Sequence, residues 1–205
     1  MAKFPVLPRE FYLDPPDRVA RGLLGKLLVR RYPAEAGSRQ SRRLVGRIVE
    51  TEAYFGLDDP AAHSFAGKTA RNQVLFGPPG FAYVYFIYGM HFCLNVSCEP
   101  EGQAGGVLFR ALEPVEGLAT MARLRGLSPD ANPRLLTSGP GRLCEALGIV
   151  RETHNGIDVT RPRSGLHVED DGCVPEIAVS RRIGIRKAAE LPLRFTVAGN
   201  RFVSR

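Results

Sequence analysis

Residues 81–97 read FAYVYFIYGMHFCLNVS. Two runs of aromatic and β-branched residues, the kinds that favour strands, flank Tyr88-Gly89. Gly supplies the positive φ that a tight connection needs, so the stretch predicts a β-hairpin. Side chains alternate across a strand. Tyr83 and Tyr85 therefore share a face of the first arm, and His91, Cys93 and Asn95 share a face of the second. A hairpin made only for core packing would favour Phe, Ile and Leu, because a buried hydroxyl needs a hydrogen-bond partner. Tyr and His here suit packing and base stacking equally, and a large tip residue such as Tyr88 can act as a wedge in a base stack.

Outward from the hairpin, residues 44–54 (LVGRIVETEAY) are rich in β-branched side chains and predict a strand. Residues 55–80 show little periodicity and are too long for an inert connection, so they should be functional or locally structured. A further strand is expected over 107–112, closed by Pro114, followed by a helix over 115–124 and another over 139–147, where Leu143 and Leu147 lie at i, i+4. Before the central strand, 17–31 (DRVARGLLGKLLVRR) reads as a short helix feeding a strand, and 32–43 as a polar connection. Short strands close the chain at 166–170, 176–184 and 193–199. With no repeat, low-complexity tract or dividing linker, residues 1–205 are expected to form a single mixed α/β (α+β) domain.

The 205 residues suffice for a core without disulfide or metal staples. No apolar run reaches the ~20 residues that span a bilayer, and residues 1–16 contain no apolar signal core. Cys93, Cys98, Cys144 and Cys173 form no Cys-x-x-Cys pair, which leaves zinc-ribbon and thioredoxin chemistry without support and fits reduced thiols in a cytoplasmic protein. The net charge is +7, and 24 of the 28 basic residues are arginine. Arginine grips phosphate bidentately and stacks on bases, so an anionic partner such as nucleic acid is favoured.

Glu50, Glu52 and Tyr54 share a face of the 44–54 strand. Two such carboxylates could be an acid/base pair, metal ligands, or a solvated edge. Asp58, Asp59 and His63 follow, and with Glu52 they make a conceivable ligand set, though the spacing matches no strong metal motif. Arg110 interrupts an apolar strand, so it must pair with a glutamate or line a cleft, holding a carboxylate, a water or a phosphate.

In order along the chain, GRIVETEAYFGLDDPAAHSFAGKTARN, FGPPGFAYVYFIYGMHFCLNVS, GVLFRALEPVEG, SGPGRLCEALGI and RRIGIRKAAELPLRF resemble the alkyladenine (3-methyladenine) DNA glycosylases from about Leu13 to Phe202. The resemblance implies a curved, mainly antiparallel sheet flanked by helices, with a protruding hairpin that enters DNA. It implies hydrolysis of the N-glycosidic bond of damaged purines in double-stranded DNA, with no metal or other cofactor. By motif, Glu52 matches the general base, and Arg110 with the backbone of Ile183 matches the other holders of the attacking water. Tyr54, His63 and Tyr85 match the aromatic pocket for the flipped base, and Asn95 the residue that crowds a guanine amino group. Tyr88 matches the side chain that fills the vacated stack, and Met90 supports it. A monomer is expected, cytoplasmic and, in a bacterium, nucleoid-associated, with no membrane partner.

The chemistry is consistent with these roles. A base must leave the stack to be reached, at a cost of a few kcal/mol. Alkylation at a ring nitrogen leaves many such bases cationic, and a cation between aromatic faces gains about 0.5–2 kcal/mol per good contact. The rival expectation is a non-catalytic nucleic-acid-binding module, which would use the same basic surface and hairpin without needing Glu52; a metal-dependent hydrolase stands third.

Overall fold

The computed structural model describes residues 2–33, 42–87 and 89–204. Helix α1 (Pro16–Leu23) begins with proline in its first turn and buries Val19, Ala20 and Leu23, an i, i+1, i+4 stripe. It leads into β1 (Leu27–Tyr32), which pairs with the first half of the long strand β2 (Arg42–Tyr54). The hairpin follows as β3 (Ala82–Ile87) and β4 (His91–Cys98), and then β5 (Gly105–Glu116). Helices α2 (Leu118–Leu124), α3 (Arg134–Thr137), α4 (Pro140–Ala146) and α5 (Arg151–His154) precede β6 (Leu166–Glu169), β7 (Ile177–Ser180) and β8 (Arg194–Val197).

The strands form one antiparallel sheet of eight, in the order β3-β4-β5-β2-β1-β6, with β8 beside the second half of β2 and β7 beside β8. Strand β2 is the axis. It is almost wholly buried from Leu44 to Ala53, flanked by β5 on one edge and by β1 then β8 on the other. One apolar cluster runs through the fold, including Leu23, Ile48, Phe109, Met121, Leu147 and Phe195. The mixed α/β class, with its antiparallel sheet and flanking helices, agrees with the sequence expectation.

Two boundaries differ from that expectation. Strand β5 does not close at Pro114 but runs on to Glu116, with Pro114 opposite Gly46 where the ladder shifts register. A bulge tolerates the missing N–H of proline. Helix α2 starts at Leu118 rather than 115, because Gly117 adopts φ 86°, where an added Cβ would lie 2.5 Å from Leu44 Cδ2. Residues 55–80 hold two short 3-10 turns, Gly56–Asp58 and Gln73–Phe76. Most of the expected polar connection, residues 34–41, lies outside the described residues. All four cysteines are free. Among the described residues, no helix is long and apolar enough to cross a membrane.

Candidate active site

The hairpin register sets Tyr83 opposite Asn95, Tyr85 opposite Cys93 and Ile87 opposite His91, so these six side chains share one face. That face meets the 56–76 loop and the loop carrying Ile183. A cavity between them is lined by Tyr54, His63, Tyr83, Tyr85, Asn95 and Ile185, among others. A second cavity shares Tyr54, Tyr85 and Ile185 with the first, and continues past Arg110 and Ile183.

The aromatic groups brace one another. His63 Nδ1 lies 3.0 Å from the Tyr83 hydroxyl. The His63 ring meets Tyr85 edge-on at 4.3 Å and 76°, and Tyr83 stacks on Tyr85 at 5.5 Å. Asn72 shapes the loop under His63: its Nδ2 donates to the His63 and Gly67 carbonyls at 2.9 and 3.0 Å, and its Oδ1 accepts the Thr69 N–H at 2.7 Å. Burial, aided by Arg71, pushes the His63 pKa down, so its imidazole is neutral at neutral pH. Asn95 is buried, and its Nδ2 makes only a long contact, 3.4 Å, to the Tyr83 carbonyl.

Glu52 sits behind Tyr54 and is 0% exposed. Its Oε2 accepts the Tyr54 hydroxyl at 2.9 Å, and its Oε1 accepts the Ile183 N–H at 2.8 Å with Arg110 Nη1 at 3.3 Å. Burial pushes the Glu52 carboxyl up; Arg110, the Ile183 N–H and the Tyr54 hydroxyl oppose that but do not cancel it. Burial and then the Glu52 charge raise the Tyr54 phenol, which keeps it a donor. For Arg110, burial works against the charge, but Glu52 and Glu50 outweigh it and the guanidinium is held above its ordinary range. The arrangement is a buried, still basic carboxylate fixed by three donors whose residues, Tyr54, Arg110 and Ile183, line an aromatic cleft. Such a group can take a proton from a water and oppose positive charge that develops beside it.

Glu52, Arg110 and Ile183 are thus in mutual contact, and Tyr54, His63, Tyr85 and Asn95 line one cavity. Tyr88 lies outside the described residues. Met90 follows Gly89 (φ 70°) and is 68% exposed. Arginines rim the site: Arg71 and Arg151 line a groove beside Phe86, and Arg125 and Arg142 line the far side of the second cavity.

The ligand set considered from sequence does not come together. Asp58 is exposed, Asp59 is buried against Arg182, and His63 faces Tyr83. Among the described residues, no group of three or more His, Cys, Asp or Glu could hold a metal ion. Sequence reasoning missed Arg182. Its guanidinium pairs with both oxygens of Asp59, donates to the Ala53 carbonyl at 3.0 Å, and lies 4.6 Å from the Tyr54 ring centroid. No local signal set Arg182 apart from Arg181 and Arg186 in the basic stretch RRIGIRK; only the distant Asp59 does.

Comparison with known proteins adds independent findings. The family model described as methylpurine-DNA glycosylase matches residues 10–201. A protein of Koribacter versatilis (strain Ellin345), named "Putative 3-methyladenine DNA glycosylase", is 58% identical over 100% of this chain and 95% of its own. A protein of the same name from Burkholderia lata is 47% identical over 97% of this chain and 91% of its own. A third, from Nitrosospira multiformis, is 54% identical over 78% of this chain and 79% of its own.

Proposed function

The chain belongs to the methylpurine-DNA glycosylase family, and from that premise we propose that it repairs alkylated DNA by flipping damaged purines from the duplex and hydrolysing their N-glycosidic bond, acting as a monomer. The observation that carries the proposal is the donor cage that holds Glu52 directly behind Tyr54, Arg110 and Ile183, which line the aromatic cleft.

In this reading the flipped base enters between Tyr54, His63 and Tyr85. A cationic base gains cation–π energy there, about 0.5–2 kcal/mol per good contact, and the neutral imidazole of His63 does not repel it. Tyr88 fills the vacated stack with Met90 beside it, while Arg71, Arg125, Arg142 and Arg151 supply phosphate contacts. Water reaches Glu52 from the cavity side of Arg110 and Ile183. The C1′–N bond breaks and its electron pair leaves with the base. The water oxygen bonds to C1′, and Glu52 takes the proton. Before that, the carboxylate opposes the positive charge that grows on the sugar.

A lyase would need an amine nucleophile at C1′. Among the described residues no lysine lines either cavity, and Lys26 and Lys3 are paired with Asp170 and Glu116. In this reading the product is an intact abasic site.

The test is a panel of duplexes carrying 3-methyladenine, 7-methylguanine, etheno-adenine or hypoxanthine, incubated with the protein and assayed for released base and strand breaks. Release of at least one base without strand scission is expected. Tight binding with no release from any duplex would leave the non-catalytic module as the better reading.

A further inference from the structure

Glu50 precedes Glu52 by two residues on β2; both are wholly buried and neither lines a cavity, but Glu52 is bonded to Tyr54 and Ile183, which do, and Glu50 is bonded to neither. Its carboxylate accepts four hydrogen bonds. Oε1 takes Arg110 Nε at 3.1 Å, Arg194 Nε at 2.6 Å and Ser204 Oγ at 2.9 Å; Oε2 takes the Ser204 N–H at 2.7 Å. We propose that Glu50 is a positioning residue that locks the Arg110 guanidinium in the orientation by which it contacts Glu52. The inference rests on the reading of Glu52 as the general base.

A guanidinium is a rigid planar fork, so pinning Nε fixes where both Nη atoms go. With Nε on Glu50, Arg110 Nη1 stands 3.3 Å from Glu52 Oε1 and 3.5 Å from the Ile183 carbonyl. The β2–β5 ladder is irregular at this point. It pairs Ile48 with Leu112, Glu50 with Ala111 and Thr51 with Phe109, passing over Val49 and Arg110. Bulges of this kind re-aim side chains next to functional sites.

Glu50 is also held from two further parts of the chain. Arg194 comes from β8 and is itself fixed by Ser180 Oγ at 2.8 Å, and Ser204 lies beyond the last strand. The two carboxylates and two guanidiniums balance, which permits the cluster to be buried. Glu50 reaches the cleft only through Arg110, the one among its donors that lines a cavity. Its effect on the reaction must pass through Arg110.

The acid limb of the pH–rate profile separates this role from others. The groups facing Glu52 are Tyr54 and Glu50 from β2, Arg110 from β5, Cys93 from β4, Arg194 from β8, and the Ile183 N–H, with Arg182 behind Tyr54. Arg110 is the main group favouring the ionised form of Glu52, and Glu50 weakly opposes it. Loss of the Glu50 charge alone would therefore move the limb to lower pH. Loss of the Arg110 contact moves it to higher pH.

The experiment compares wild type, Glu50→Gln, Glu50→Asp and Ser204→Ala in single-turnover base release across pH, with duplex affinity and a thermal melt for each. A misplacement near 1 Å can cost about 10²-fold in rate, so Glu50→Gln should lose about that much, keep its DNA affinity and shift its acid limb upward. Glu50→Asp keeps the charge and should recover part of the rate. If Glu50→Gln does not fold, Ser204→Ala decides: it removes one donor from Glu50 without touching Arg110, and should lower the rate severalfold with an upward shift. In either variant, a near-wild-type rate, or a limb that stays put or moves down, overturns the positioning role. If wild type releases no base, the proposed function fails and this inference with it. Release by wild type together with an unaffected Glu50 variant sinks the inference alone.

Discussion

The backbone N–H of Ile183 donates to Glu52 Oε1 at 2.8 Å, a contact that spans 131 residues of chain. It joins the central strand to the loop that forms one wall of the cleft. The donor is main chain, so the identity of the side chain at 183 does not decide the contact. What matters is that the carboxylate at 52 is charged and held still.

Glu52→Gln keeps the shape of that side chain but removes both its negative charge and its basicity. Removal of a positioned general base costs about 10²–10⁴ in rate. Single-turnover release of etheno-adenine should fall by at least that much while duplex affinity, read by anisotropy, stays near wild type. Release at the wild-type rate would show that Glu52 is not the base.

The same carboxyl sets the pH dependence. Burial holds its pKa above the ordinary range, and the proposed reaction uses the ionised form. The rate should therefore rise with pH through a value above the ~4.3 of a free glutamate and then level off. His63, depressed by burial, adds no limb near its ordinary value. A raised carboxyl also stabilises the fold only while protonated: its contribution is complete below the unfolded value and lost as pH rises through the folded one. Activity is gained where that contribution is lost. An acid limb at or below the free-glutamate value contradicts the assignment.

Asp59 and Arg182 form a bidentate pair with both side chains essentially buried. Asp59→Ala strands the guanidinium, and breaking one partner of a buried pair costs about 3–5 kcal/mol. Urea unfolding should show that loss, and the surviving folded protein should be less active because Arg182 also packs on Tyr54. A loss no larger than that of a surface substitution would mean the pair is solvated.

Asn95 lines the cavity and, among the described residues, makes one long hydrogen bond, to the hairpin. Asn95→Ala should leave the fold almost unchanged. It should open the space that a guanine amino group would fill, raising kcat/KM for 7-methylguanine relative to etheno-adenine by about tenfold, the scale of discrimination that small groups give in a pocket. An unchanged ratio of the two rates moves base selection to another wall of the cavity.

Met90 is exposed at the hairpin turn. Met90→Ala should change stability by no more than about 0.5 kcal/mol but lower the flipped fraction of a fluorescent etheno-adenine duplex at saturating protein. Equal fluorescence for variant and wild type would leave wedging to Tyr88 alone.

The hairpin, the central strand and helices α1 and α4 were legible in the residues themselves, because alternation with a period of two and apolar spacing near 3.6 follow from local backbone geometry. That alternation also paired Tyr83 with Tyr85 on one arm and Cys93 with Asn95 on the other before any contact was known; the hairpin register then set both pairs on one face. The ends of β5 and α2 were not legible, since they depend on Gly46 and Leu44 across the sheet. Nor were the partners of the charges. Asp59 looked like a ligand beside Asp58 and His63 until Arg182, 123 residues away, claimed it. Glu50 and Glu52 were equivalent on an ideal strand. The bulge beside Arg110, and the arrival of Arg194 and Ser204, locked one carboxylate and left the other against the cleft-lining Tyr54 and Ile183. Local patterns encode which way a side chain points. Charge pairing is settled only when distant segments bring their donors into the same desolvated space.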